Sequence, residues 1–172
     1  MFFVLTFEQP ILMPPSCLYK DLQALIKAKL IEKVVGSVSE KYGYIVCVIR
    51  VDEPQNGKIL DTSGDVLFNV RYRAVVMKPF PGEVVDGVIE KVERYGIHVL
   101  VGPIRVFISN SNFPSDFEYN ENQNCYLSVS QNDKLMIDTE VRFRILNVQF
   151  DTEKNEFHPT GTMNEDYLGP LR

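Results

Sequence analysis

Residues able to do covalent, acid–base or metal chemistry are sparse in this chain of 172 residues. Its three cysteines, Cys17, Cys47 and Cys125, lie far apart and form no CxxC pair. An odd, scattered set of thiols suits a reducing compartment and makes no disulfide framework. The two histidines, His98 and His158, stand at no metal-ligand spacing, so no zinc site and no thiol–imidazole nucleophile is expected. GxGxxG, GxxxxGK[ST], GxSxG and HExxH are all missing, which removes the common phosphate-cradling and hydrolytic frameworks. Carboxylates do cluster, as Glu83 with Asp86 and Glu90 with Glu93. On a strand, however, Glu83 and Asp86 point to opposite faces and cannot share a proton-transfer task without a bend. The expectation is a chain with no catalytic residues, no metal, no cofactor and no small-molecule substrate.

Stacking chemistry is better represented. Tyr95, His98 and Phe107 fall at hairpin and strand positions where flat rings could share one face, and such platforms hold single-stranded bases. Arg105, Arg142 and Arg144 could meet the phosphates of the same strand. Pattern alone leaves Phe107 open between a core position and the platform, and His98 open between a stacking ring and an ordinary surface imidazole. A third feature is the polar segment around Asn56-Gly57 and Gly64, a loop of the kind that carries contacts when held by a rigid sheet. A plain surface turn is the alternative there.

The elements that must position these residues read as two modules. Met77-Lys78-Pro79-Phe80-Pro81-Gly82 interrupts both sheet and helix patterns, so the boundary is placed between residues 1–78 and 79–172. The first module opens on a strand, Phe2–Phe7, and Pro10, Pro14 and Pro15 make a rigid connection. A helix over 16–33 follows, capped by Ser16, with Leu18, Leu22, Leu25, Ile26 and Leu30 at helical spacing and Lys20, Asp21, Gln23, Lys27 and Lys29 opposite. Residues 34–41 and 42–51 are strand-rich, with Gly36 and Gly43 marking bulges or close approaches. Turns come at Pro54-Gln55-Asn56-Gly57 and Thr62-Ser63-Gly64-Asp65. From 66 to 76, Phe68, Val70, Tyr72, Ala74 and Val76 alternate with Asn69, Arg71 and Arg73. The result is a β-α-β-β-β module with a projecting polar loop.

In the second module, strands are expected at 84–92, 97–101, 104–109, 141–150 and 156–162, with a tight hairpin through Glu93-Arg94-Tyr95-Gly96. Residues 110–137 form a long polar excursion between the third and fourth strands. Five short strands with one excursion describe a barrel of the OB type. The fold class is therefore an α+β module followed by an all-β OB barrel.

Composition agrees with globular character: 45% hydrophobic and 24% charged. No run reaches the roughly 18 apolar residues of a membrane helix, and the apolar start lacks the basic flank and cleavage site of a signal peptide. Charge is divided unevenly. Residues 1–78 carry ten Lys and Arg against eight Asp and Glu, whereas residues 79–172 carry eight against fifteen. Neither half is basic enough to bind nucleic acid by counterion release alone, so RNA contact is local, weak or assisted by a partner.

Lys78-Pro-Phe-Pro-Gly-Glu-Val-Val-Asp86, continuing to Val88 and Gly96, resembles the module junction of the RNA polymerase stalk subunits, the family of the seventh-largest subunit of RNA polymerase II. Gly161-Thr-Met and the Asp166-Tyr-Leu-Gly169 ending, the Phe-rich first strand, the helix and Lys41-Tyr-Gly-Tyr44 extend the resemblance over essentially the whole chain. Archaeal and RNA polymerase III relatives share the junction; the Asp-Tyr-Leu-Gly ending favours polymerase II. The resemblance implies a non-catalytic, nuclear stalk subunit, although no basic import cluster is evident. It implies a heterodimer with the fourth-largest subunit, seated on the polymerase core near RNA exit, supporting initiation and touching nascent single-stranded RNA. It further implies an RNP-like first module, which docks through tip loops carried over to Gln55, Asn56, Gly57, Lys58, Ser63 and Gly64. The second module becomes an OB barrel of the ribosomal RNA-binding repeat type. The repeat's aromatic surface falls on Tyr95, His98 and Phe107, with His98 where an aromatic is usual and Phe107 where a histidine is usual. The rival readings are a free-standing single-stranded RNA-binding OB protein and the equivalent subunit of another nuclear or archaeal polymerase.

Overall fold

Apolar alternation along residues 66–77 sets up the first unit. A computed structural model describes residues 1–18, 21–54, 56–61, 63–121, 123–128 and 133–171, and the chain divides into two compact units, Met1–Lys78 and Pro79–Arg172. In the first unit the strands are β1 (Phe2–Met13), β2 (Val38–Ser39), β3 (Gly43–Val51), β4 (Lys58–Ile59) and β5 (Val66–Met77), and the helix α1 covers Leu22–Val34. The sheet order is β1-β5-β3-β2, with β4 also on β5. Val66, Phe68, Val70, Tyr72, Ala74 and Val76 all point inward, because every second residue of a strand faces the same side. From α1, Ile26, Leu30 and Val34 close over them at four-residue intervals. Burying each such side chain contributes about 1.5–3 kcal/mol.

Four local expectations are corrected here. β1 does not stop before Pro10 but runs to Met13 in unbroken register with β5; as the sheet's edge strand it tolerates a residue with no N–H. The helix begins at Leu22, not at 16. Pro15–Cys17 is a separate 3-10 turn, and Asp21 takes a left-handed conformation at φ 71° that no helical turn can include; Lys20 lies outside the described residues. Val34, expected in a strand, is the last helical residue. The bulges of β3 lie between Ile45 and Cys47 and between Val48 and Arg50, not at the glycines. Gly43 is a close approach instead: at φ 90° its backbone passes so near β5 that a Cβ would stand 2.3 Å from the Met77 carbonyl oxygen.

The second unit is a closed barrel. Its strands are β6 (Val84–Glu93), β7 (Gly96–Val101), β8 (Ile104–Ser109), β9 (Phe117–Asn120), β10 (Cys125–Ser128), β11 (Lys134–Leu135), β12 (Glu140–Asp151), β13 (Glu156–Thr162) and β14 (Gly169–Pro170). The barrel order is β13-β8-β7-β6-β12, and β13 returns to pair with β12. The β13–β8 pairing is parallel and the others antiparallel. This is an OB fold, and closing the sheet removes its free edges. Ile89, Ile97, Val99, Val106, Ile108, Phe143 and Ile145 fill the inside. The excursion after β8 is less polar in effect than in composition. It builds the three-stranded sheet β11-β10-β9 and buries Phe113, Cys125, Tyr126 and Leu135.

Candidate nucleic-acid interface

The parity of β8 decides where Phe107 points. Ile104, Val106 and Ile108 are buried, so Arg105 and Phe107 must face outward, and both do. β7 has the opposite parity, with Ile97 and Val99 inside and His98 outside. Register then sets His98 directly across from Phe107, and Lys91 of β6 across from His98. The two rings meet with centroids 5.0 Å apart, tilted by 43°, an arrangement that leaves flat surface for a further ring. Of the two readings open for Phe107, the surface position is the one found.

Tyr95 occupies the β6–β7 hairpin and is 72% exposed. That hairpin is held from a direction the sequence does not announce. Tyr126, on β10, is 2% exposed, and its hydroxyl donates to the carbonyls of Glu93 and Arg94, each at 2.9 Å. Phe113 meets the Tyr126 ring edge-on at 4.7 Å, and Tyr119 lies at 5.2 Å. Burial pushes the Tyr126 phenol up to about 12, so it remains a donor. Gly96 completes the turn. A Cβ there would stand 2.2 Å from the Ile108 carbonyl oxygen and 3.0 Å from the Phe107 ring, so only glycine lets the hairpin close over β8.

A shallow depression of about 280 Å³ lies beside the ring pair, lined by Glu90, Lys91, His98 and Arg105. Burial, more than the surrounding charges, pushes the His98 imidazole below its ordinary value. At neutral pH it is therefore an uncharged ring that can stack, not a cation for a phosphate.

The basic residues are engaged with carboxylates. Arg105 forks onto Glu90 at 2.6 and 2.8 Å. Arg142 does the same to Asp86, its cross-strand neighbour, at 2.6 and 2.8 Å; that bond holds the Asp86 carboxyl below its usual range. Arg144 pairs with Glu165 at 3.0 Å, and Lys91 pairs with Glu93. Arg105 shares the depression with His98, whereas Arg142 and Arg144, on β12, do not line it. The expected six-residue set thus separates into a group on β7, β8 and the β6–β7 hairpin, and a pair of arginines elsewhere on the barrel.

In the first unit the polar loop folds down instead of projecting. Lys58 starts β4 and pairs with Leu67. Gly57 backs onto β5, where a Cβ would meet Val66 at 2.5 Å and Phe68 at 2.7 Å. Ser63 bonds the Asp65 carboxylate at 2.9 Å, and Gly64 sits by Pro15; Gln55 lies outside the described residues. Leu12 and Lys58 flank Leu67 in register. Leu12, Leu18 and the 65%-exposed Ile59 add bare apolar surface to a region that reads as polar in sequence.

Residues 11–64 match the family described as the SHS2 domain found in the N terminus of Rpb7p/Rpc25p/MJ0397, and residues 78–156 match the S1 RNA binding domain. DNA-directed RNA polymerase II subunit RPB7 of Saccharomyces cerevisiae is 38% identical over 99% of this chain and 100% of its own length. The chain belongs to the RPB7 family. Two further RPB7 proteins, from Dictyostelium discoideum and Schizosaccharomyces pombe, are 36% and 33% identical, each over 99% of both chains. An RPB7 polypeptide is a subunit of RNA polymerase II with an S1 RNA-binding domain, and here that match contains Tyr95, His98, Arg105, Phe107 and the supporting Tyr126. The SHS2 match contains Asn56, Gly57, Lys58, Ser63 and Gly64.

Proposed function

We propose that this chain is a non-catalytic stalk subunit of nuclear RNA polymerase II, acting by adhesion and guidance. The first unit docks on the polymerase core through Leu12, Leu18, Ile59 and the loop residues Asn56, Gly57, Lys58, Ser63 and Gly64, near where RNA leaves. A heterodimer with the fourth-largest subunit covers further apolar surface, and the docked pair supports initiation. The barrel offers emerging single-stranded RNA a weak track, in which bases stack on Tyr95, Phe107 and neutral His98 while Arg105 meets phosphate. The observation that carries the RNA part is the outward His98–Phe107 pair, 5.0 Å apart across adjacent strands. A solvent-facing aromatic pair offers flat surface on which a base can stack.

Affinity capture of the tagged chain from gentle lysate, followed by mass spectrometry, tests the assembly. A small partner in equal amount together with the large polymerase II subunits is the expected result. Recovery of polymerase I or III subunits refutes the polymerase II assignment, and RNA with ribosomal proteins alone refutes the stalk. Titration of single-stranded RNA tests the track: Tyr95→Ala combined with Phe107→Ala should weaken binding by about 1–3 kcal/mol per lost stack. An unchanged titration by a folded variant removes the stacking role and leaves the stalk untouched.

A further inference from the structure

The arginine beside the His98–Phe107 pair is already held. Arg105 presents two donors to the two oxygens of Glu90, at 2.6 and 2.8 Å, and Glu156 of β13 adds a second negative charge acting on the guanidinium. Lys91, the other cation in the depression, is turned to Glu93. A guanidinium fork that fits a carboxylate fits a phosphate equally well. An RNA phosphate reaching this depression therefore has to displace Glu90 before Arg105 can serve it.

We propose that Glu90 is an internal competitor for RNA phosphate at Arg105, keeping the barrel's hold on single-stranded RNA weak and unusually tolerant of salt. The inference rests on the RNA-track reading of this face. When phosphate replaces Glu90, the released carboxylate takes up a solution cation as the phosphate sheds one. The exchange at Arg105 then contributes almost nothing to counterion release, the term that makes nucleic-acid binding salt-dependent. Both partners are partly exposed, and an ion pair of this kind is worth about twofold to fivefold in an equilibrium constant. Glu90 thus trims affinity without abolishing it, as a surface past which a strand must keep moving requires.

The test is fluorescence anisotropy of a labelled oligouridylate against the full chain, titrated at several salt concentrations. Glu90→Gln, which keeps shape and removes charge, should tighten binding about twofold to fivefold at low salt. The slope of log K against log salt should steepen by about 0.7, the value of one phosphate contact to a single strand. Both gains should vanish when Arg105→Gln is added. Glu90→Gln binding like wild type overturns the inference. So does a gain that survives Arg105→Gln, because Glu90 would then act by simple repulsion and not by holding Arg105. Glu90→Ala, run alongside, should show the same gain, so that a folding defect in one variant does not decide the result. If wild type and Glu90→Gln are both folded and neither binds at low salt, the RNA-track reading falls and the inference with it. Wild-type binding that Glu90→Gln leaves unchanged sinks the inference alone.

Discussion

Replacing Tyr126 by Phe removes one oxygen from a fully enclosed ring and leaves its packing intact. The edge-on contact with Phe113 and the tilted contact with Tyr119 persist; what disappears is the donor to the carbonyls of Glu93 and Arg94. One hydroxyl hydrogen divided between two acceptors counts as roughly one neutral hydrogen bond, a net contribution of about 1 kcal/mol. Both bonds are part-buried, so about 1 kcal/mol is the lower bound of the loss. Urea unfolding of the full chain at neutral pH should show a lower midpoint with unchanged slope. Alkaline titration then separates this hydroxyl from any general effect. The Tyr126 phenol titrates near 12 in the folded state against an ordinary 10. Its contribution is complete below pH 10 and is lost as pH rises from 10 towards 12, because the unfolded chain releases the proton first. The stability gap between wild type and Tyr126→Phe should accordingly close over that window. Burial also raises Tyr72, but Tyr72 is present in both proteins and cancels. Equal midpoints at neutral pH, or a gap that stays constant through about pH 11, would refute the reasoning that Tyr126 pins the Tyr95 hairpin.

Other expectations follow from neighbouring contacts. Gly96→Ala should cost at least about 2 kcal/mol through overpacking against the Ile108 carbonyl, read as a large drop in melting temperature; a variant as stable as wild type contradicts the close approach. Ile26→Ala empties the fully buried centre of α1 and should cost about 2–5 kcal/mol in the first unit, measured by hydrogen exchange of its sheet amides. Leu12→Asp with Ile59→Asp should leave the melting profile almost unchanged, since both side chains are exposed, while sharply reducing co-purified core polymerase subunits. Undiminished recovery would move the docking surface away from this tip.

Much of this architecture is readable from local pattern. The period-two run in β5 and the breaks at Gly102-Pro103 and 151–155 locate strands because burial on one face forces alternation. Misreadings arose where a residue's neighbours across the sheet, not along the chain, decided the outcome. Pro10 looks like a stop until β1 proves to be an edge strand. The 110–137 segment looks like polar loop because Asn and Gln surround Tyr126, and its scattered buried residues, Phe113, Cys125, Tyr126 and Leu135, leave no periodic trace. Phe107 is undecidable alone but settled by the inward neighbours on either side.

The sequence by itself determined the two-module division and most of the long strands, the lack of catalytic and metal-binding motifs, the acidic balance of the second half, and a resemblance strong enough to name the family. These are properties of residue type and short-range spacing, written along the chain. Only the tertiary structure decided which charges are engaged and which rings meet. Arg142 finds Asp86 across 56 residues, and Arg105 finds Glu90 across 15, through strand registers that no local pattern encodes. Phe107 and His98 become a pair for the same reason. The barrel's closure fixes which strands are neighbours, and neighbourhood turns a set of candidate arginines into ion pairs and a set of aromatics into a surface.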